Sequence, residues 1–126
     1  MPHITLHALD DQLHGHEAEL ITALTEAVVE VYGDWARDIA VVQLVGVQPG
    51  RWGVGGRQVT DVAPAVTFGV REGALTRPEG PEMARRLAAA VTDAVVGVLG
   101  EQHRAGLTVE LVGTPEGRSA VGGVLV

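Results

Sequence analysis

Hydrophobic residues recur along the chain with two periods, one typical of strands and one typical of amphipathic helices. Apolar and polar residues alternate over residues 3–9, which predicts a strand with one apolar face. From residue 17 to residue 33 the apolar positions are spaced by three or four, which predicts an amphipathic helix. A nearly continuous apolar run over residues 39–47 is typical of a buried strand.

The second half of the chain repeats this order. The patterns predict a strand over 65–70, a helix over 82–100 and a strand over 107–113. Each half then ends in a glycine-rich turn, GRWGVGG at 50–56 and GRSAVGG at 117–123, which agree at five of seven positions. Each half is therefore predicted to run strand, helix, strand and glycine turn.

The start of each half is marked by a proline, Pro2 in the first and Pro64 in the second. These prolines are 62 residues apart and the glycine turns are 67 apart, so the second half is longer by five. We interpret the chain as one domain, residues 1–126, made of two β-α-β units at 2–62 and 63–126. Two unrelated β-α-β units with glycine-rich turns are the alternative.

The predicted fold class is α/β (α+β). Two parallel strands joined by a helix need a right-handed crossover, and two such units give a four-stranded mixed sheet with two helices on one face. The strands read as apolar on both sides, and an apolar sheet face does not stay open to water. We therefore expect a closed homo-oligomer.

The composition argues against several classes of function. The net charge is −7, which disfavours general nucleic-acid binding, and the absence of cysteine excludes disulfides and thiolate metal sites. All nine basic residues are arginines, so Schiff-base lysine chemistry is excluded. The sequence shows no export signal or membrane-spanning run, and we expect a cytoplasmic protein with no bound metal, cofactor, nucleic acid or membrane.

Three stretches, MPHITLHAL, ALTEAVVEVYG and WGVGG, resemble the tautomerase superfamily. Their combination in a doubled chain is similar to the fused, two-unit relatives of 4-oxalocrotonate tautomerase. TFGVREGA at 67–74 is similar to the cis-3-chloroacrylic acid dehalogenase group. The resemblance implies a tautomerase-like fold and a homotrimer.

The resemblance implies that Pro2 is catalytic. Removal of Met1 would leave Pro2 as a free secondary amine, whose pKa desolvation and a neighbouring arginine would lower from about 7.7–8.0 towards neutrality. Such an amine can move a proton between carbon and oxygen in a keto–enol tautomerisation. Pro64 has an amide nitrogen and cannot do so. The alternative is that Pro2 only begins a strand.

The resemblance also implies residues around the substrate. Arg71 matches the first arginine of the dehalogenase pattern and is a candidate substrate anchor, the alternative being a solvated strand end. Trp52 occupies the aromatic position that walls the site in the family, the alternative being subunit packing. Arg51, Arg118 and His7 are further candidates for substrate binding, with surface or interface roles as alternatives.

Some family positions are not matched. Two arginines usual in 4-oxalocrotonate tautomerases fall at Gln12 and Val41, and the second arginine of the dehalogenase pattern falls at Ala74. The usual arginines for binding a dicarboxylate are therefore missing, and we expect a different small enol, dienol or 2-keto substrate, with secondary metabolism as a candidate source. The alternatives are a proline-dependent lyase, either decarboxylase or hydratase-like, and a non-catalytic trimeric scaffold.

Overall fold

A computed structural model describes residues 2–126, and the expected removal of Met1 lies outside the described residues. The helices are α1 (Asp10–Leu13), α2 (Glu17–Tyr32), α3 (Glu72–Thr76) and α4 (Gly80–Leu99). The strands are β1 (His3–Leu9), β2 (Val41–Val47), β3 (Gly53–Val54), β4 (Arg57–Gln58), β5 (Ala65–Arg71), β6 (Thr108–Thr114), β7 (Ala120–Val121) and β8 (Val124–Leu125). Short 3₁₀ turns follow the long helices at Asp34–Ala36 and Glu101–His103.

The main sheet has four strands in the order β2-β1-β5-β6. Within each half the two strands are parallel, and the halves join through an antiparallel pairing of β1 with β5. The long helices α2 and α4 pack against each other on one face of this sheet. The predicted α+β class, with its four-stranded mixed sheet, is confirmed.

The register between β1 and β5 relates the two halves by a local twofold axis. Thr5 pairs with Thr67, and both residues stand three places after the proline that starts their half. On one side of this pair His3 opposes Gly69, and on the other His7 opposes Ala65. Equivalent strands therefore lie side by side and run in opposite directions.

The core lies between the sheet and the two long helices. Alternate residues of β1 and β5 point towards the helices, as the strand period of two requires. The helices contribute residues at spacings of three and four, which place them on one face. The fully buried side chains of this core are aliphatic apart from one phenylalanine: Ile4, Leu6, Leu20, Leu24, Val28, Val66, Phe68, Leu87, Val91 and Val95.

A short helix follows the first strand of each half, so the predicted order of strand, helix, strand and glycine turn was incomplete there. α1 has four residues and α3 has five, which is too short for an apolar period to show in the sequence. Gln12 helps to hold α1, because its side chain accepts a hydrogen bond from the Leu9 amide and donates one to the Val62 carbonyl.

The expectation of strands that are apolar on both sides was also wrong. On the face away from the helices, β1 presents His3, Thr5 and His7, and these side chains are exposed or half-buried. Two valines, Val45 and Val112, are exposed on the outer strands of the same sheet. The expectation came from β2, where polar residues are rare, and the other strands do not follow it.

A tight junction joins α3 to α4. Gly80 is buried at the start of α4, and its amide donates to the Arg77 carbonyl at 2.8 Å. A Cβ atom at this position would collide with the backbone carbonyl of Leu75. Only glycine allows α3 to lie this close to the start of α4. This close approach fixes the course of the backbone at Arg77. No helix within residues 2–126 has the length and apolar character needed to cross a membrane.

Candidate functional site

Pro2 is buried at the start of β1 and borders a cavity of about 240 Å³. Its carbonyl accepts a hydrogen bond from the Val41 amide at 3.0 Å, which holds the start of β1 against the start of β2. The residues around the cavity come from both halves of the chain and are Pro2, Tyr32, Trp35, Ile39, Val70, Arg71, Ala74 and Arg77.

The pairing of β1 with β5 places the end of β5 beside Pro2. Because His3 opposes Gly69, the next residues outward are Pro2, just before β1, and Val70 on β5, with Arg71 beyond. The second half of the chain therefore supplies the cationic side of the cavity. α3 follows directly from Arg71 and continues along the rim to Arg77.

A stacked aromatic pair forms part of the cavity lining. The rings of Tyr32 and Trp35 are stacked, with their centroids 5.8 Å apart and their planes at 21°. Nε1 of Trp35 donates to the Tyr32 carbonyl at 2.7 Å, which orients the indole at the end of α2. The Trp35 side chain is 62% exposed, so it offers a free aromatic surface at the mouth of the cavity.

An ion-pair cluster braces the 3₁₀ turn that carries Trp35. Arg37 bonds both oxygens of Glu26 on α2, at 2.9 and 3.0 Å, and also contacts Asp34. Hydrogen bonding from Arg37 lowers the pKa of Glu26. These groups are exposed, so their contribution to global stability is small. Their effect is local, because they tie the turn back onto the helix.

The cavity has no acidic partner for its arginines among the lining residues that the structure describes. Arg77 contacts Glu79 at 3.4 Å outside the lining, and both side chains are largely exposed. Burial raises the pKa of the Tyr32 phenol, while the charge of Arg77 acts in the opposite direction. The phenol is therefore protonated at neutral pH and can donate a hydrogen bond but not act as a base.

Residues 2–62 match the family model described as "Tautomerase enzyme". The same residues include Pro2, the paired strands β1 and β2, and the helix between them. The structural comparison extends the likeness over the whole chain. The first half of the chain therefore belongs to the tautomerase family, and the chain as a whole has the fold of fused 4-OT proteins. No curated protein matched the sequence.

Solved structures of fused 4-OT proteins share the whole architecture of the chain. One, described as an asymmetric trimer of the wild-type F6 fused 4-OT, has a TM-score of 0.82 at 19% identity, covering 98% of this chain and 94% of that chain. A native fused 4-OT has a TM-score of 0.77 at 25% identity, with the same coverage of both chains.

A protein named for a different activity shares the fold as well. A malonate semialdehyde decarboxylase, FG41, has a TM-score of 0.70 at 16% identity, covering 94% of this chain and 88% of that chain. The tautomerase fold of the present chain is therefore common to proteins named for more than one reaction, and the fold alone does not define the reaction.

The other residues singled out in the sequence lie away from Pro2 in the same chain. Trp52 and Arg51 precede the β3–β4 hairpin, and Arg118 precedes the β7–β8 hairpin. His7 lies on the sheet face away from the helices. None of these four lines the cavity at Pro2, whereas Arg71 does.

Arg71 also borders a second, larger cavity of about 830 Å³ next to the β7–β8 hairpin. This cavity is on the sheet face away from the helices, where His3 and Gly69 pair across β1 and β5. Its remaining lining residues belong to β5, β6 and the C-terminal hairpin. Arg71 thus stands between the site of Pro2 and the exposed end of the second unit.

Tyr32, Trp35, Ile39 and Arg77 border Pro2 but do not stand out in the sequence. Tyr32 lies at the end of α2, and Trp35 lies in the short connection that follows it, for which no element was predicted from the sequence. A comparison of the two halves could have identified them. The residues 67 places later are Leu99, which corresponds to Tyr32, and Gln102, which corresponds to Trp35. Only the half with the N-terminal proline has this aromatic pair.

The titration of Tyr32 tests the electrostatics of the site. Tyr32 is the only tyrosine in the sequence, so tyrosinate absorbance reports on it directly. We expect its pKa to lie above the ordinary value of about 10. Arg77→Ala should raise the pKa further, because the nearby cation stabilises the phenolate. Arg85→Ala on α4 is the matched control and should cause no shift; an equal shift in both variants would contradict this geometry.

Proposed function

We propose that the chain is a cofactor-independent keto–enol tautomerase that uses Pro2 as its general acid and base. The observation that carries the proposal is the position of Pro2 in a small cavity with two arginines and no carboxylate or histidine among the described lining residues. Once Met1 is removed, the Pro2 amine would be the one group in this lining suited to exchange a proton near neutral pH.

The electrostatic setting supports this role. Burial disfavours the charged form of an amine, and the positive charges of Arg71 and Arg77 would lower the pKa of the Pro2 amine further. An amine with a pKa near the working pH is most efficient, because it can both accept and return a proton. Its rigid pyrrolidine ring restricts the direction of the nitrogen lone pair.

The proposed reaction conserves all atoms. The Pro2 nitrogen removes the hydroxyl proton of a 2-hydroxy-enoic acid, and the electron pair on oxygen forms the C=O bond. The electrons of the C=C bond then take the proton from the Pro2 ammonium at carbon 3, which gives the 2-keto acid. Arg71 would bind the carboxylate and stabilise the enolate charge between the two steps.

The lyase alternative has less support from the site. A hydratase-like reaction needs a group that activates water, and the described lining contains no carboxylate or histidine for this. A decarboxylase shares the fold, so a lyase that forms an iminium ion at Pro2 is the second outcome to be tested. Borohydride trapping with a keto acid distinguishes the two, because only an iminium ion leaves a stable adduct on Pro2.

The proposal includes a homotrimer. A fused 4-OT of the same fold is described as a trimer. The C-terminal hairpin here leaves Val121, Val124 and Leu125 more than half exposed, which is apolar surface that a neighbouring subunit would cover. Trp52 and Arg51, at the other hairpin, could then approach the Pro2 site of a neighbouring copy.

The trimer is tested by the mass of the protein in solution. Light scattering should give about three times the chain mass of 13.1 kDa. Val124→Asp together with Leu125→Asp should shift the mass towards the monomer, because two buried carboxylates would be unpaired at the interface. A wild-type monomer would overturn the trimer, whereas it would leave the chemistry of Pro2 open to a separate test.

The role of Pro2 is tested by substitution and by a matched control in the second half. Pro2→Ala should lower kcat/KM for phenylenolpyruvate ketonisation by about 10²- to 10⁴-fold, since it removes the rigid secondary amine that transfers the proton. Pro64→Ala changes the equivalent proline, whose nitrogen is an amide, and should keep most of the activity per folded molecule. The loss of ketonisation is followed in the ultraviolet.

Two results would contradict the proposal. An intact mass that retains Met1 would leave Pro2 without a basic nitrogen. Equal rates for the wild type and the Pro2→Ala variant would favour the scaffold interpretation, in which the fold is kept and the chemistry is lost.

A further inference from the structure

The second half of the chain is longer than the first, and the added length lies within its helices. α3 has one residue more than α1, and three residues follow each of these short helices before the long helix begins. The core positions of α4 follow those of α2 by 67, as with Leu20 and Leu87, so α4 begins four residues earlier than α2 relative to its core. Arg77 is the first residue after α3, and it lines the cavity at Pro2.

An arginine flanks α3 at each end, and both arginines line the cavity. Arg71 is the residue before its first turn and Arg77 the residue after its last, and Ala74 lines the cavity between them. Ala74 is small, which leaves room between the two guanidinium groups. The course of the chain beyond Arg77 is fixed by the buried Gly80, whose amide bonds the Arg77 carbonyl.

The equivalent positions around Pro64 lack this chemistry. The counterparts of Tyr32, Trp35 and Ile39 are an aliphatic residue, an amide and a glycine: Leu99, Gln102 and Gly106. The counterparts of Arg71 and Ala74 are Leu9 and Gln12. The side chain of Gln12 makes its hydrogen bonds to the backbone. The charged and aromatic groups are thus specific to the Pro2 site and are not a requirement of the repeated fold.

We propose that Arg77 is a second substrate-binding arginine, placed at the cavity by the end of α3, and that the site selects small 2-keto or enol monocarboxylates with a planar apolar tail. The inference rests on the proposed tautomerase function and specifies its substrate class. Arg71 and Arg77 both line the cavity, and two guanidinium groups match a carboxylate with its 2-oxygen.

Apart from the two arginines, the described lining is mainly aromatic and aliphatic. Tyr32 and Trp35 present stacked rings and Ile39 an aliphatic side chain, so a planar tail can stack there. With about 240 Å³ the cavity is smaller than the roughly 300–1,000 Å³ of sites for drug-sized ligands, which limits the ligand to a single ring and a short acid chain. A second carboxylate against these apolar side chains would lose its hydration, and the described lining holds no further cation to pair with it.

The experiment compares an acid with its uncharged ester in the same assay. Exchange of the C3 protons of phenylpyruvate and of methyl phenylpyruvate in D₂O is followed by NMR with the full-length protein. Arg77→Ala should lower kcat/KM for the acid about tenfold or more, mainly through KM, and change the ester much less. Arg77→Lys should recover part of the loss. Arg85→Ala, which removes an exposed arginine paired with Glu82 outside the site, should behave as the wild type.

A second readout separates binding from a structural role. Trp35→Ala should reduce kcat/KM for phenylpyruvate more than for pyruvate, because only the former has a ring to stack. Equal effects of Arg77→Ala on acid and ester, or no effect, would overturn the assignment of Arg77 while leaving the role of Pro2 intact. Absence of exchange with the wild type on any of these substrates would instead count against the tautomerase function itself.

Discussion

The antiparallel pairing of β1 with β5 is the constraint on which the site depends. It joins the two halves through Thr5 and Thr67, and it fixes which end of the second half meets the first residue of β1. A register shift of one residue would turn Ile4 and Leu6 out of the core, so burial of these side chains sets the register. The same register sets Pro2 beside Val70 and brings Arg71 and α3 to the rim of its cavity.

The two halves have similar backbone arrangements but contribute different side chains to the cavity at Pro2. The backbone arrangement is nearly symmetric: the ion pair of Arg37 with Glu26 in the first half is repeated by Arg104 with Asp93, 67 residues later in both partners. The chemistry is not symmetric. The first half contributes the proline and the aromatic wall, and the second half contributes the arginines, so neither half holds the whole site.

Much of the fold could be predicted from the sequence, because it is encoded in long periodic stretches. The strand over 3–9 and the helix from residue 17 follow directly from where side chains must be buried. The short helices α1 and α3 could not be predicted, since one turn of helix shows no period. Motifs singled out Pro2 and Arg71 as candidates, and both border the cavity. Arg77 was not singled out, because an arginine in an irregular segment has no local pattern that distinguishes it from a surface residue.

The central claim is that burial and the two arginines depress the pKa of a free Pro2 amine. The most direct measurement is a ¹⁵N NMR titration of protein labelled with [¹⁵N]proline, in which Pro2 alone of the six prolines would titrate. The account predicts one titrating signal with a pKa below the ordinary 7.7–8.0 or so of an α-amino group, raised when Arg71 and Arg77 are both changed to alanine. A spectrum without a titrating proline signal, or a pKa at or above the ordinary value, would contradict it.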